Sequence, residues 1–329
     1  MRLAIMSFAH IHAESYIENL RRLPDVEFIG LADEDQARAA HFAQRYGAPL
    51  FPSYEALLAA RPDGVIVCSE NSHHKRLTLM AAAAGVHVLC EKPLATTAED
   101  ARAMIDACQQ AGVTLMTAFP MRFNAPVLEI KALLESGRMG QLYGLKTTNQ
   151  GRCPNNLRGW FVDKELAGGG AVFDHTVHLA DLMRWFLNSE VVEVYAQTNQ
   201  ILYGDEVEVE TGGLLLLTFA NGVFASLDCS WSKPRYYPTW GGLTMELVGS
   251  GGLARMDAFR QNLTIYTHEA QRPQWAFWGS DADQGMIAEF IAAIREKRPP
   301  LVTGVDGLRA TEIALAAYRS AHSGQPEKV

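Results

Sequence analysis

Short apolar runs alternate with segments of helical periodicity over the first 120 residues of the chain. The apolar runs are residues 3–6, 26–32, 64–68, 86–89 and 113–117. Residues 64–68 have no polar face, and strands that are buried on both sides are typical of parallel sheets. Because strand and helix patterns alternate with short connections, this part of the chain predicts a doubly wound parallel sheet with right-handed crossovers.

The pattern changes after residue 118, where long strands follow one another directly. The predicted strands are residues 142–148, 192–200, 206–219, 223–231, 244–248 and 263–266, and the predicted helices are 171–186, 284–295 and 307–321. Strands without intervening helices favour a largely antiparallel sheet. We therefore expect an α/β protein with two domains, residues 1–120 and 121–329. The C-terminal helix, 305–321, is expected to pack back near the first domain.

Composition and charge narrow the function classes. The 329 residues carry a formal net charge of −8, and the absence of a basic run argues against a nucleic-acid partner. No apolar stretch approaches the roughly 18 residues that a membrane span needs. The five cysteines are widely spaced and never occur as Cys-x-x-Cys, which favours reduced thiols in a cytoplasmic protein.

Candidate chemistry lies at one strand end and on one helix. Lys92 follows the fourth apolar run, where a parallel sheet gathers its ligands. Asp174, His178 and Asp181 are spaced i, i+4, i+7, so they form one stripe of a helix. We expect His178 to accept a hydroxyl proton and Asp174 to orient substrate and support the charged imidazole. His175 is expected on another face.

Each of these residues also has a purely structural interpretation. Lys92 alone is compatible with a solvated lysine, and His178 with a satisfied core or capping histidine. No metal site is expected, because His10 and His12 lie at a turn while His73, His74 and Asp174 fall on separate elements.

Several motifs resemble those of the Gfo/Idh/MocA oxidoreductases, and the resemblance covers nearly the whole chain. These motifs are Ala32-Asp33 with Arg38-Ala39, the stretch from Ser69 to His74, Gly85 to Pro93 with its Glu91-Lys92-Pro93 end, Arg122-Phe123, Gly168 to Asp181, and Gly304 to Ala310. The resemblance implies a Rossmann domain that holds NAD or NADP, joined to an open-faced, mostly antiparallel sheet, with substrate between them. It also implies that Lys92, Asp174 and His178 are the catalytic set.

The cofactor and substrate contacts follow from the same resemblance and from strand-end positions. The expected cofactor contacts are Phe8, Ala9, His10, Ile11, His12, Asp33, Ser69, Asn71, His74, Glu91, Lys92 and Arg122. The expected substrate contacts are Lys92, Arg152, Trp160, Asp174 and His178. For Arg122 the alternative is a salt bridge at the domain hinge, and Arg152 and Trp160 have surface or core alternatives.

The glycine-rich turn of the family is absent from this chain. It would fall on residues 7–12, where no glycine occurs, and His12 replaces the glycine that packs the helix on the strand, so it should push the two apart. Asp33 at the tip of the second strand is expected to accept both hydroxyls of the adenosine ribose, which favours NAD over NADP. The alternative is that Asp33 or Asp35 caps the next helix.

Together these features predict an NAD-dependent oxidoreductase that acts on a secondary alcohol of a sugar, sugar acid or cyclitol. Two alternatives stay open. One is a cofactor-recycling glycoside hydrolase or transferase of the same fold, and the other is a dinucleotide or sugar sensor without turnover. The open sheet predicts a homodimer or homotetramer.

Overall fold

Five parallel strands form the first sheet of the computed structural model, which describes residues 1–265, 267, 271–277, 279 and 281–329. The sheet order is β2-β1-β3-β4-β5. The strands are β1 (Arg2–Met6), β2 (Glu27–Ala32), β3 (Gly64–Val67), β4 (His87–Cys90) and β5 (Leu115–Thr117). Every residue of β3 is buried, as expected for a parallel strand covered on both faces.

Helices connect these strands and confirm the predicted doubly wound sheet. They are α1 (His12–Arg22), α2 (Gln36–Tyr46), α3 (Tyr54–Ala59), α4 (His74–Ala83) and α5 (Ala98–Ala111). Side-chain oxygens of Asp35, Ser53 and Thr97 accept backbone N–H bonds at the starts of α2, α3 and α5, which satisfies donors that a helix leaves unpaired. The carboxyl ends of the strands are thereby held at one edge of the sheet.

The second sheet has seven strands in the order β11-β10-β6-β9-β8-β7-β14. Neighbouring strands are antiparallel except β6 and β9, which run parallel, so the predicted mostly antiparallel sheet is confirmed. The strands are β6 (Leu142–Gly151), β7 (Val191–Asn199), β8 (Gly212–Phe219), β9 (Phe224–Asp228), β10 (Gly241–Gly249), β11 (Gly252–Asp257) and β14 (Glu327–Lys328), and a separate hairpin joins β12 (Asn262–Ile265) to β13 (Gln274–Phe277).

Helices α6 (Ala125–Glu135), α8 (Ala171–Leu187) and α10 (Gly304–Ser323) pack on the second sheet. Helices α7 (Lys164–Ala167) and α9 (Ala282–Glu296) contact neighbouring helical segments instead. Helix α10 contacts α8 and β7 and also α5 and β5 of the first sheet, and α9 contacts α1. These helices therefore tie the two sheets together. No helix among the described residues has the length and apolarity that a membrane crossing requires.

The prediction of one strand over residues 206–219 was wrong in its first part, since β8 begins at Gly212. Glu210 instead accepts hydrogen bonds from the backbone N–H groups of Gly170 and Val172 at the start of α8, and from Tyr318. A carboxylate is stabilised at a helix N-terminus, which explains why this segment leaves the sheet. Of the strand predicted over residues 263–266, Tyr266 lies outside the described residues.

Candidate active site

A cavity of about 210 Å³ lies between the carboxyl edge of the parallel sheet and strands β6 and β10. Its polar lining residues are His12, Lys92, Asn149, His175, His178 and Asp283, and its apolar ones include Pro120, Met121, Trp240, Leu243 and Phe259. Ligands of open α/β sheets gather at this edge. A larger depression of about 700 Å³ lies elsewhere, beside residues 112–115 at the amino end of β5, and shares none of these side chains.

Lys92 and Asp174 form a buried ion pair beside this cavity. Lys92 follows β4 directly, and its Nζ donates to Asp174 Oδ1 at 2.7 Å while only 3% of its side chain is exposed. Burial alone would raise the pKa of Asp174, but the positive charge of Lys92 and the neighbouring His175 hold that pKa well below its usual range. The pair therefore places a fixed ammonium group at the cavity wall and brings together two residues of the predicted catalytic set.

His178 lines the same cavity one helical turn after Asp174. Burial lowers the pKa of His178 well below its ordinary value, and the positive charge of Lys92 lowers it further. His178 is partly exposed while its Nδ1 is buried without a partner among the described residues, so Nε2 is the nitrogen open to the cavity. A neutral imidazole next to a cation can accept a proton at neutral pH.

Asp174 influences His178 through its charge, while its direct contact on α8 is with His175. Burial lowers the pKa of His178, and the negative charge of Asp174 opposes that shift. Asp174 Oδ2 lies 3.1 Å from Nε2 of His175, and His175 also lines the cavity. Asn149 on β6 donates to the backbone carbonyl of His175 at 3.0 Å, and a Cβ atom at Gly151 would lie 2.4 Å from its ring. The ring is therefore held by a strand that sequence spacing alone did not connect with α8.

His12 and Glu91 form a second buried pair. Glu91 has no exposed surface and accepts hydrogen bonds from Tyr16 at 2.5 Å and from the Lys92 backbone N–H at 3.0 Å. The Nδ1 atom of His12 lies 3.0 Å from Glu91 Oε1. Burial lowers the pKa of His12, but the adjacent carboxylate outweighs it and the net shift is upward. Instead of pressing on β1, the His12 ring thus turns toward the end of β4.

His10 lies next to this pair. Its ring packs edge-on against His12 and Phe161, and its Nδ1 accepts from the His12 backbone N–H at 3.2 Å. Ligand atoms of His10, His12 and Glu91 lie within 4.8 Å of one another, so a carboxylate from the end of β4 joins the two histidines of the turn. His10 Nδ1, His12 Nδ1 and Glu91 Oε1 already have hydrogen-bond partners within the protein.

The turn after β1 forms without glycine because neighbouring side chains hold it. Ser7 has a φ of +71°, a left-handed conformation that glycine adopts readily. The backbone N–H of Phe8 donates to Asp33 at 2.7 Å, that of Ala9 donates to Ser7 Oγ at 3.2 Å, and Trp160 Nε1 donates to the Ala9 carbonyl at 3.0 Å. The side chain of Phe8 stacks on Phe42 in the core, so it offers a ligand only its backbone.

This turn fits a dinucleotide pyrophosphate. The N–H groups of Ala9 and His12 donate to side-chain atoms, Ser7 Oγ and His10 Nδ1, for which phosphate oxygens could substitute as acceptors. His10 Nε2 and Asn71 Oδ1 are buried at the same edge without a partner among the described residues. Such atoms are normally satisfied by a ligand or water.

Asp33 has a different role from the one expected. Its carboxylate accepts from Phe8 N–H, from Asp35 N–H at 3.0 Å and from Arg38 Nε and Nη2 at 2.8 Å each. Because these donors occupy both oxygens, Asp33 fastens the turn and is not free to receive two ribose hydroxyls while Arg38 stays in place. The alternative cap is found at Asp35, which accepts from the N–H groups of Ala37 and Arg38.

Three further predicted cofactor residues lie after β3 and at the start of α4. Ser69 is buried and bonds the Glu70 carbonyl, and Asn71 donates to the Ala167 carbonyl at 2.8 Å. His74 contacts the carbonyls of Pro93 at 3.0 Å and Ser69 at 3.3 Å, and burial lowers its pKa. The His74 ring therefore joins two strand ends and is corrected from a cofactor contact to a support. Ile11 packs with Ala9 and Trp160.

The predicted roles of Arg122, Arg152 and Trp160 are also corrected. Arg122 is buried and its guanidinium is engaged by Asp181, Asp306 and the Leu301 carbonyl, which is the hinge salt bridge given as the alternative. Arg152 lines a separate small cavity with Tyr203. Trp160 is buried against the turn and does not line the main cavity, where Trp240 lies instead.

Comparison with known proteins covers both parts of the chain. Residues 2–119 match the family described as an oxidoreductase family with an NAD-binding Rossmann fold. Residues 127–255 match the GFO/IDH/MocA C-terminal domain.

Individual relatives match over nearly their full length. The chain is 30% identical to the 1,5-anhydro-D-fructose reductase of Ensifer adhaerens, over 96% of this chain and 95% of the relative. It is 27% identical to the myo-inositol 2-dehydrogenase of Thermotoga maritima, over 97% and 96%. A solved structure of GenD2 from gentamicin A biosynthesis, in complex with NAD, is 25% identical and superposes with a TM-score of 0.90 over 100% of this chain and 96% of that one.

Proposed function

This chain belongs to the GFO/IDH/MocA oxidoreductase family, and we propose that it transfers a hydride between NAD and a secondary alcohol of a sugar, sugar acid or cyclitol. The family resemblance inferred from the motifs is confirmed, and the protein is an NAD(P)-dependent oxidoreductase. The observation that carries the substrate proposal is the Lys92–Asp174 ion pair beside a neutral His178 in one cavity.

The cofactor is held by the first sheet in this proposal. The backbone of residues 8–12, with Ser69, Asn71, Glu91 and Lys92, would bind it, and Asp33 would act through the turn that it fastens. NAD, when bound, supplies the hydride acceptor, and the protein supplies orientation and electrostatics. NAD is the favoured cofactor and NADP the less favoured one, because the matched family is described as NAD-binding and the similar GenD2 structure contains NAD.

The chain's own residues handle the proton. Lys92 Nζ donates to the substrate oxygen and stabilises the negative charge that develops when its proton leaves. His178 takes that proton at Nε2, and its lowered pKa keeps it unprotonated beforehand. Asp174 holds Lys92 at the wall, while Trp240, Leu243 and Met121 exclude water.

A screen for net NADH formation tests this proposal. The protein is mixed with NAD and a panel of hexoses, hexuronic acids and cyclitols, and absorbance of NADH is followed. We expect one group of related substrates to give stoichiometric NADH. Product formation without net NADH would replace the proposal with cofactor recycling, and polyol binding without any turnover would replace it with a sensor.

We propose that the second domain, residues 121–329, also carries the oligomer interface, with the first domain covering residues 1–120. Leu214 and Leu216 on β8 and Phe224 on β9 are each more than half exposed on the sheet face away from α8 and α10. Val248 and Leu253 on β10 and β11 extend this apolar face across the sheet. A row of charged residues, Lys146, Glu246 and Arg255, crosses the same face between these apolar residues. Exposed apolar residues combined with paired charges are typical of an interface between subunits.

Replacing Leu214 and Leu216 with Glu should dissociate a homodimer or homotetramer, because the new charges would be buried at the interface. The matched control is Leu50→Glu, a leucine that is 41% exposed in the first domain. Light scattering after size exclusion measures the mass. A native protein that is monomeric at micromolar concentration would contradict the interface.

The cytoplasm is the proposed location, since all five cysteines are free and four of them are buried. A full count of reduced thiols in protein isolated under non-reducing conditions would support this, and disulfide-linked protein would contradict it.

A further inference from the structure

Four polar side chains that line the cavity are not used by the proposed reaction, and two of them, His12 and Asp283, lie away from β6 and α8, which carry Asn149 and His175. His12 begins α1 and Asp283 lies in the first turn of α9, and these two helices contact each other. Both line the cavity that also holds Lys92 and His178. They therefore form a second polar wall, away from α8.

One ring nitrogen of His12 bonds Glu91, and the other is available to a ligand. Glu91 is an acceptor, so the Nδ1 atom that lies 3.0 Å from it carries the proton. Tyr16 and the Lys92 backbone N–H hold Glu91 in turn, which fixes the orientation of the imidazole. Nε2 is then the polar atom that His12 presents to the cavity.

Asp283 likewise has one carboxylate oxygen in a hydrogen bond and one available to a ligand. Its Oδ2 accepts from Ser15 at 2.6 Å, and Oδ1 has no hydrogen-bond partner among the described residues. Burial raises the pKa of Asp283, and the neighbouring His12 offsets part of that shift. A largely enclosed carboxylate oxygen without a donor is an acceptor site for a ligand hydroxyl.

The charges around this wall favour a neutral ligand with hydroxyl groups over an anionic one. Asp174, Glu91 and Asp283 are carboxylates, whereas the cations among the described residues at the cavity are Lys92 and, when protonated, His12. Lys92 is already paired with Asp174. A carboxylate or phosphate placed beside Asp283 would be repelled, while a hydroxyl group could donate to it.

We propose that His12 and Asp283 bind two hydroxyl groups of the substrate, which makes the substrate an uncharged sugar or cyclitol and not a sugar acid. This inference rests on the proposed function and narrows its substrate class. His12 and Asp283 set specificity by contacting substrate hydroxyls, while His178 and Lys92 act at the reacting carbon. Trp240 supplies an apolar surface in the same cavity for the ring carbons.

The test compares Asp283→Asn with the native protein, using the best hexose or cyclitol from the NADH screen and the matching hexuronic acid. Both KM and the affinity of each compound for the NADH complex are measured, the latter by calorimetry. We expect the variant to bind the neutral compound about tenfold more weakly or worse, because a hydrogen bond to a charged group is lost. Affinity for the acid should rise, and NADH affinity should stay within about twofold.

Asp281→Asn is the control, because it removes the same charge two residues away, at the helix cap and outside the cavity lining. Its substrate affinities should equal those of the native protein. His12→Asn keeps the backbone N–H that would face the pyrophosphate, so it should weaken binding of the neutral compound more than it weakens binding of NADH.

Three outcomes would overturn the inference. The first is a native protein that prefers the uronic acid, and the second is an Asp283→Asn variant with unchanged affinity for the neutral compound. The third is a loss of NADH affinity in both variants with substrate affinity intact, which would make His12 and Asp283 cofactor contacts. Native protein that binds neutral polyols through Asp283 yet forms no NADH would refute only the proposed reaction, so the two failures are distinguishable.

Discussion

Ser7 takes a backbone conformation that a glycine would adopt without strain. Its φ of +71° costs a residue with a Cβ about 1–2 kcal/mol, and its hydroxyl compensates by bonding the Ala9 N–H and approaching Asp33. Asp33 adds a hydrogen bond to the Phe8 N–H. The glycine-free turn is therefore held by side-chain contacts that a glycine-rich turn does not need.

Substituting Ser7 in two ways separates these effects. Ser7→Ala and Ser7→Gly both lose the hydroxyl, but only glycine relieves the positive φ, so the glycine variant should be more stable by about 1 kcal/mol. Urea unfolding measures the free energy of unfolding. Equal stabilities would show that the backbone at Ser7 carries no strain.

The sequence predicted some of the residues that line the cavity and not others. The family resemblance of their motifs implied that Lys92, Asp174 and His178 act together, and Lys92 and His178 line the cavity while Asp174 is paired with Lys92. Asn149, Trp240 and Asp283 come from three elements far apart in the chain, and no local pattern links them. Arg122 and Arg152 were misassigned because a sequence shows that an arginine is present but not which carboxylates meet it.

Helix α8 combines chemistry at its start with a structural anchor at its centre. Asp174 and His178 line or adjoin the cavity, whereas Asp181 binds Arg122 in a bidentate contact. Arg122 also lies 3.0 Å from Asp306 in the first turn of α10. The polar stripe predicted on α8 is therefore divided between a reactive part and an anchor that joins two helices.

Arg122→Ala should destabilise the protein by about 3–5 kcal/mol, because it leaves Asp181 buried without its partner. Arg260→Ala is the control, since Arg260 is 87% exposed and its loss should cost less than about 0.5 kcal/mol. Thermal unfolding measures both, and NADH titration below the transition checks the site. A stable Arg122→Ala variant that loses NADH affinity selectively would show that Arg122 contacts the cofactor.

The helices and strands were predicted correctly where hydrophobic periodicity alone determines them. The five strands of the parallel sheet and their helices appear as predicted, because the strands are largely buried and every helix of this part except α1 has a side-chain cap or a glycine near its end. Residues 206–211 failed as a strand because the Glu210 carboxylate binds the start of α8, an interaction forty residues away in the sequence.

Across the whole molecule, buried histidines couple the fold to pH. Burial lowers the pKa values of His10, His74 and His178, so these residues stay neutral in the folded protein while the unfolded chain binds protons below pH about 6.5. His12 opposes them, since its pKa is raised in the folded protein. Burial also lowers the pKa of the half-buried His87. Four lowered values therefore oppose one raised value, and the unfolded state binds more protons as the pH falls.

Stability should therefore decrease between pH 7.5 and pH about 5.5, a window above the range in which most carboxyl groups titrate. Urea midpoints across this window measure the effect. His74→Asn should flatten the dependence, because it removes one buried group without touching the cavity. A midpoint that rises as the pH falls would show that these histidines are charged in the fold.

The account as a whole depends on proton transfer at His178 next to the Lys92–Asp174 pair. The most direct measurement is stopped-flow formation of NADH by native protein, His178→Asn and Lys92→Met, with NADH affinity determined separately for each. The account predicts that His178→Asn lowers kcat by about 10²–10⁴-fold while NADH affinity is retained, and that Asp174→Asn is non-additive with it. Near-native turnover by His178→Asn would contradict this account and make His175, the histidine that Asp174 contacts, the next residue to test.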